Sequence, residues 1–436
     1  MKKIYIKNIE EYLDKEITLA AFVENIRAMQ YVTFIVLTDN TSKVQVTIER
    51  EGHEELLSKI ENLTIYSTVK VIGKVVKNEK VKLGGIEIIP TDIIITSLAD
   101  NNFPIDIKNI DNSLLETRLD NRFLDLRNQR NHNIFKIQTT LLQAMRKYWN
   151  DNEYIEIMSP KISGASAEGG AEVFYFDYFD TKATLSQSPQ FYKQMAMAAG
   201  FNKVFEVGPA FRAEESHTSY HATEINMIDM EVSWLNNVDE LMDIEEEWLK
   251  SSINKVVEVH KDDINKYFNV EVNKIEYDFP RITFSQAKQI LKEEFNYVGS
   301  KADDLERTEE AKLCEYAKKN YNSDFIFITH FNKEARPFYH QLDENGLTKS
   351  YDLLYKGLEI TTGAIREHRA DVLEKQIIEK EINKEVLDFY INFFRYGCPP
   401  HGGFGVGLAR IMMKMLEIDS IREVMYIYRG PNRLNP

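Results

Sequence analysis

Arginine and carboxylate side chains spaced along a single stretch are the first feature of this sequence that could do chemistry. From Lys203 to Trp234 the chain alternates apolar and polar residues through Val204, Phe205 and Val207 up to Arg212. It then passes through a polar loop rich in Glu, Ser, His and Thr, and alternates again through Met227, Ile228 and Met230. That pattern predicts two antiparallel strands joined by a long loop. Arg212 ends the first strand, where a guanidinium can take a phosphate with two parallel donors, while Asp229 and Glu231 share one face of the returning strand. A cation suited to phosphate thus lies beside anions suited to an ammonium. Alone, the text FRAE would read as an ordinary hairpin with a solvated loop. A second element shifts the weight: in GCPPHGGFGVGLARIMMKML four glycines between Gly402 and Gly407 lead through a short strand into a helix that carries Arg410.

Together these stretches resemble motifs 2 and 3 of the class II aminoacyl-tRNA synthetases. The wording is most similar to the aspartyl enzymes of archaeal and eukaryotic type, over nearly the whole chain. The resemblance implies a ligase that activates L-aspartate with ATP and transfers it to the 3′ end of a tRNA. Adenylation works by positioning and charge neutralisation, so it calls for fixed cations and metal rather than a nucleophilic side chain. By resemblance, Arg212 holds the α-phosphate and Arg410 the γ-phosphate, with its flat face on adenine. Glu214 contacts adenine, His221 the phosphates, and Asp352, Glu359 and Thr362 hold Mg²⁺. Asp352 and Glu359 are an odd number of residues apart, so one regular strand would not bring both to one face; a bulge, or ligation from two sides, is required.

For the amino acid, the resemblance supplies Lys193 and Arg366 as two cations for a side-chain carboxylate, with Ser188 nearby. Asp229, Gln190 and Glu168 surround the α-ammonium, Glu168 from a small-residue loop that can move. The text QSPQFYKQ is the most specific signal for the substrate, because asparaginyl enzymes carry a different text here without this lysine. Asparagine would leave buried charges unpaired, a loss that polar sites convert into discrimination. Ile225 stands where a phenylalanine usually stacks on adenine, Tyr220 where an arginine usually precedes the histidine, and Ala409 where an acid precedes the motif 3 arginine. The ending MYIYRGPNRLNP also departs from the usual FPRDPKRL. These changes leave the cation framework intact, so adenylation is expected.

Positioning these residues requires several elements, and 436 residues suffice for two or three domains. With 43% hydrophobic and 28% charged residues, a folded enzyme is favoured over a disordered or fibrous chain. No apolar run approaches a membrane span, and MKKIYIKNIEEYL lacks the apolar core and cleavage site of a signal peptide, so a cytoplasmic protein is expected. Cys314 and Cys398 stand alone, which indicates neither a disulfide framework nor a zinc site. The net charge of −15 argues against non-specific coating of nucleic acid. Residues 1–100 nevertheless hold 13 Lys and Arg against 15 Asp and Glu, so a local, shape-specific RNA contact is compatible with the composition.

The fold class expected is α+β: an N-terminal OB-fold barrel over 1–100, a hinge over 101–133 and a class II catalytic domain over 134–436, an antiparallel sheet flanked by helices. Five short strands lie between Ile17 and Thr96, with a helical stretch around Glu54–Asn62 between the third and fourth, the OB-fold layout. On composition alone this could equally be a structural barrel. Arg27, Phe34 and Gln45 fall where the family reads the anticodon: a ring stacks a base, an amide reads a base edge and a guanidinium holds phosphate or base. The alternation in VTFIVLT leaves the face of Phe34 open. Apolar residues from Ile134 to Trp149 recur at helical spacing and YIEIMSP alternates to Pro160, which resembles motif 1 and implies a homodimer. Residues 236–350 read as a mostly helical insertion.

Three functions are weighed. An aspartate–tRNA ligase is preferred. An asparaginyl-tRNA synthetase is disfavoured by Lys193 and Asp229, and a paralog that binds aspartate for regulation or makes free asparagine by the retained barrel. Relatives of the preferred class charge tRNA(Asp) alone or also tRNA(Asn). Glu24 and Asn25, beside Arg27, match neither sort. An acid at Glu24 could accept from the amino group of cytosine, the third anticodon base of tRNA(Asp), which favours that tRNA.

Overall fold

The computed structural model describes residues 4–166, 172–216 and 218–436. The chain divides into two compact units, Met1–Ser113 and Leu114–Pro436. In the first, strands β1 (Glu16–Ala28), β2 (Val32–Thr38), β3 (Lys43–Glu49), β4 (Thr68–Lys77) and β5 (Ile86–Ser97) close into a barrel in the order β1-β2-β3-β5-β4, with helix α1 (Glu54–Lys59) between β3 and β4. Strict alternation makes this possible: Leu19, Val23, Ile35, Leu37, Val44, Val46 and Ile48 fill the interior while their neighbours face outward. This is the OB-fold expected. Phe34 lies between inward Thr33 and Ile35, so its ring faces out.

In the second unit, short helices α2 (Leu115–Asp120) and α3 (Arg122–Asp125) precede the long helix α4 (Gln129–Asp151). The expected hinge over 101–133 is therefore shorter. Residues 114–133 are docked on the catalytic unit: Arg118 pairs with Asp125 at 2.7 Å and Glu423 at 2.9 Å, and Arg122 donates to the carbonyls of Glu423 and Met425 at 2.7 Å each. The Asn128 side chain caps α4 by accepting from the Arg130 N–H. Ile134, Ile137, Leu141, Met145 and Trp149 line its buried face.

Strand β6 (Ile155–Glu156) follows, then β7 (Ile162–Ser163), β8 (Tyr175–Tyr178), β9 (Thr181–Leu185), α5 (Gln190–Ala198), β10 (Lys203–Phe211), β11 (Glu224–Ser233) and the long helix α6 (Val238–Phe268). After these come β12 (Arg281–Thr283), α7 (Phe284–Phe295), α8 (Arg307–Tyr321), β13 (Phe325–Thr329), β14 (Ser350–Tyr355), β15 (Leu358–Ile365), α9 (Ala370–Glu379), α10 (Asp388–Arg395), β16 (His401–Gly407), α11 (Leu408–Met415) and α12 (Ile421–Val424). Eight strands form one sheet in the order β12-β13-β14-β15-β16-β11-β10-β6, mostly antiparallel. Trp149 of α4 stacks on Trp248 of α6 at 4.9 Å, and both rings approach Phe404 of the sheet.

Two expectations need correction here. The strand read up to Pro160 is only β6, two residues paired with Val204 and Phe205, because β6 has a partner on one side alone among the described residues. The segment 236–350 is not simply a helical insertion, since β12 and β13 extend the main sheet. All five residues of β13 are buried, so the strand lacks the alternation that would have marked it. No helix among the described residues is long and apolar enough to cross a membrane.

Candidate active site

β10 and β11 form the expected hairpin, with Phe211 opposite Glu224. Arg212 follows the last β10 residue and its N–H donates to the Thr223 carbonyl at 2.9 Å, which holds the base of the loop closed. Its guanidinium is 37% exposed and the Glu214 carboxylate lies 3.9 Å away. Across the cleft, Arg410 on the first turn of α11 donates to the Glu359 carbonyl at 2.8 Å. Both arginines line an open cleft together with Glu214, His221, Glu359 and Thr362. Tyr220, Ile225 and Ala409, the three departures from the family wording, line the same cleft. The His221 imidazole is held below its ordinary range by burial, opposed by Glu214 and reinforced by Arg410, Arg307 and Arg212.

Below that cleft lies a cluster of buried charge. Lys193, on the first turns of α5, donates to Asp229 at 3.0 Å and to the Phe404 carbonyl at 3.2 Å, and lies 3.4 Å from Glu231. Arg366, just past β15, donates to Glu231 at 2.9 Å and to the Gly403 carbonyl at 2.8 Å. Burial alone would raise the Glu231 carboxyl, but Arg366, then Lys193, hold it below its ordinary value. The glycines of β16 leave space for these groups: a methyl on Gly405 would meet Asp229 at 2.9 Å, and one on Gly403 would collide with the Glu231 carboxylate. Asp229 Oδ2 is buried and has no hydrogen-bond partner. An unpaired buried carboxylate oxygen is costly unless an incoming donor, such as an ammonium, completes it.

Gln190 donates to Gln194 at 2.8 Å, and Gln194 in turn contacts His401 Nε2 at 3.0 Å. The Ser188 carbonyl accepts from the Ser186 hydroxyl at 2.7 Å. Glu168 lies outside the described residues.

Asp352 and Glu359 come from opposite strands of the β14–β15 hairpin, where a register shift at Leu353/Leu354 supplies the bulge that their spacing required. The Thr362 hydroxyl donates to Asp352 at 2.8 Å and to Glu359 at 3.3 Å, so three oxygen-bearing side chains converge. Mg²⁺ takes one or two carboxylates plus substrate phosphates, so this set suits it, with phosphates completing the shell. Arg336, unmarked by any pattern in the sequence, pairs with Asp352 through both guanidinium ends, one of them at 2.9 Å. Among the described residues no group of three or more His, Cys, Asp and Glu could hold a metal unaided.

Comparison with known proteins fits this geometry. Residues 114–428 match the model of the tRNA synthetases class II (D, K and N), and residues 17–96 that of the OB-fold nucleic acid binding domain. The chain belongs to the class II tRNA synthetases. It is 39% identical over 433 residues to an aspartate–tRNA(Asp) ligase of Pyrococcus abyssi, covering 98% of each chain. An aspartate–tRNA(Asp/Asn) ligase of Methanopyrus kandleri is 38% identical, with 100% of each chain covered. Among solved structures, asparaginyl-tRNA synthetase from Pyrococcus horikoshii complexed with asparaginyl-adenylate superposes with a TM-score of 0.90 at 30% identity, covering all of both chains.

Within this synthetase Glu231, read from the sequence only as an anion beside Asp229, pairs with Arg366 and Lys193. Its alternation with Asp229 was the available signal, and its complete burial against two cations makes it as much part of the site as Asp229. In the barrel, Arg27 pairs across β1 and β2 with Phe34, its guanidinium 5.1 Å from the ring centre. Phe34 is in turn opposite Thr47. Gln45 donates to Glu87 at 3.2 Å, and Asn78 donates to the same carboxylate at 2.7 Å; neither Glu87 nor Asn78 was singled out beforehand. Glu24 sits at the β1 register shift and pairs with Lys43 at 2.6 Å.

Proposed function

We propose that this synthetase is an aspartate–tRNA ligase, and the observation that carries the reading is the buried Lys193–Asp229–Glu231–Arg366 cluster beneath the Arg212–Arg410 cleft. Because Lys193 and Arg366 are already matched by Asp229 and Glu231, asparagine would not face two free cations, as first expected. The argument for aspartate rests instead on which side chain these cations attract. An α-ammonium can complete Asp229 Oδ2, and the buried Lys193 and Arg366 cations favour a side-chain carboxylate in their reach over a neutral side-chain amide. The archaeal relatives named as aspartate–tRNA ligases support the same choice.

The α-carboxylate attacks the α-phosphorus of ATP in line, the bond to the bridging oxygen breaks, and pyrophosphate leaves. Arg212 holds the α-phosphate and Arg410 the γ-phosphate, charges aimed where negative charge develops. Glu214 contacts adenine, and the His221 imidazole donates an N–H to a phosphate oxygen. Bound between Asp352, Glu359 and Thr362, Mg²⁺ would supply charge neutralisation to the phosphate oxygens. The 3′-terminal hydroxyl of tRNA then attacks the adenylate carbonyl and AMP departs. Arg27, Phe34 and Gln45 read the anticodon of tRNA(Asp) on the outer face of the barrel, with Glu24 favouring it over tRNA(Asn). The enzyme works in the cytoplasm as a homodimer built on α4 and β6, a reading supported by the exposure of Ile155, Met158 and Ile162 along that segment.

The test is ATP–pyrophosphate exchange with each amino acid, with and without tRNA. Aspartate-driven exchange and aspartyl-tRNA formation are expected; preferred exchange with asparagine overturns the assignment.

A further inference from the structure

One cation packed against a residue that lines this cleft comes from outside both signature stretches. Arg307 opens α8, and its guanidinium carbon lies 3.9 Å from the centre of the Tyr220 ring. Tyr220 lines the cleft beside His221, at the position where the family wording would put an arginine. Arg307 is fixed from its other side by Glu310, at 3.0 Å. The same Glu310 oxygen accepts the Glu359 backbone N–H at 2.8 Å. Since the Glu359 carbonyl is the group that anchors Arg410, one short chain of contacts ties both guanidiniums to β15. Glu310 takes one of the five Arg307 N–H donors and the Tyr220 hydroxyl shares another, and the side chain remains 36% exposed.

Other cations act on the same neighbours, alongside the carboxylates of Glu214, Glu310 and Glu359. Arg307 holds the Tyr220 phenol below its usual range. Lys414 is held down first by burial and then by Arg307, and His221 by burial with Arg410, Arg307 and Arg212 adding to it. A guanidinium with donors to spare suits a phosphate oxygen, and the substrate entering this cleft ends in a polyphosphate. We infer that Arg307 binds the outer phosphates of ATP, and the pyrophosphate they become, with the Tyr220 ring as the platform that holds its guanidinium flat at the mouth of the cleft. This rests on the ATP-dependent reading of the cleft and adds to it a residue from the segment that bears no signature motif.

The experiment measures equilibrium binding of ATP and AMP to the full chain, alongside ATP–pyrophosphate exchange. Arg307→Gln should weaken ATP about tenfold while leaving AMP within about twofold, the size expected for one charge-assisted contact that only the outer phosphates make. In exchange, KM for ATP should rise by a similar factor with KM for the amino acid unchanged. Tyr220→Arg placed on the Arg307→Gln background should bring ATP affinity back, because it returns a guanidinium to the same place from the loop side. Equal weakening of ATP and AMP, or no change in either, overturns the proposal, as does failure of the double variant to recover while its melting temperature matches that of the unmodified chain. If the unmodified chain binds ATP yet shows no aspartate-driven exchange, the amino-acid assignment falls and the ATP comparison still decides the role of Arg307.

Discussion

Two kinds of cation serve the site, and they differ in what else depends on them. Arg212 is more than a third exposed and the Glu214 carboxylate lies 3.9 Å away, so removing the guanidinium leaves little unpaired. Arg410 gives up one hydrogen bond to a carbonyl. Arg212→Ala and Arg410→Ala should therefore lower ATP–pyrophosphate exchange by about a hundredfold or more, as loss of a preorganised donor at developing charge does. Their urea midpoints should stay near that of the unmodified chain. Near-native exchange in either variant would remove its phosphate role. Lys193 is different, since it is buried against Asp229 and Glu231. Lys193→Met should abolish aspartate-driven exchange and also cost about 3–5 kcal/mol of stability, because it strands buried carboxylates. Adding Asp229→Asn should recover part of that stability and none of the activity, measured by urea unfolding and exchange on the same preparations.

At the level of the elements, α6 carries Glu245 against the back of β14 and β15. Its side chain accepts from the Tyr351 hydroxyl, while its second oxygen and the Thr361 hydroxyl both lack partners. Burial pushes the Glu245 carboxyl up to about 7 from an ordinary 4.5. The folded state thus keeps a proton that the unfolded chain releases near pH 4.5, and the stability that this proton confers is lost as pH rises from there through 7. Glu245→Gln, which mimics the protonated form, should match the unmodified chain below pH 4.5. It should exceed it by on the order of 3 kcal/mol above pH 7 in urea unfolding. A pH-independent difference would show that the carboxyl titrates alike in the folded and unfolded chain. His401, held down to about 4 by burial, acts with the opposite sign: its contribution is lost as pH falls from 6.5 to 4.

Much at this level was legible in the sequence. Period-two alternation marked the five barrel strands and the β10–β11 hairpin, and the odd spacing of Asp352 and Glu359 announced the bulge. What escaped was set by contacts distant in sequence. β13 is buried on both faces and so lacks alternation, and Arg336 reaches Asp352 from an irregular segment. The pairing of Lys193 with Asp229 closes 36 residues of chain, which no local pattern records.

In the function proposed, the two units divide the reaction, activation in one and anticodon reading in the other. Phe34 faces outward on the barrel under Arg27, where an unstacked base can lie on it. Phe34→Ala should therefore leave aspartate-driven exchange intact without tRNA and lower aminoacylation of tRNA(Asp) about tenfold or more, the scale of one lost base–ring stack. Loss of both activities together would mean that the ring supports the fold instead. The charge distribution agrees with this division. The chain as a whole carries −15 while residues 1–100 are nearly balanced, so RNA affinity must come from such particular contacts rather than from a general field.

The two glycines that make room for the buried carboxylates have different genetic fates. A side chain at 405 would press first on other side chains, the Asp229 carboxylate at 2.9 Å and the end of Met227 at 3.3 Å. At 403 it would also strike the Met230 backbone carbonyl. In a strain that depends on this gene, a lethal Gly405→Ala allele should yield second-site suppressors, smaller residues at Met227 first among them. A Gly403→Ala allele should yield true revertants alone, because no substitution elsewhere can shorten a main chain.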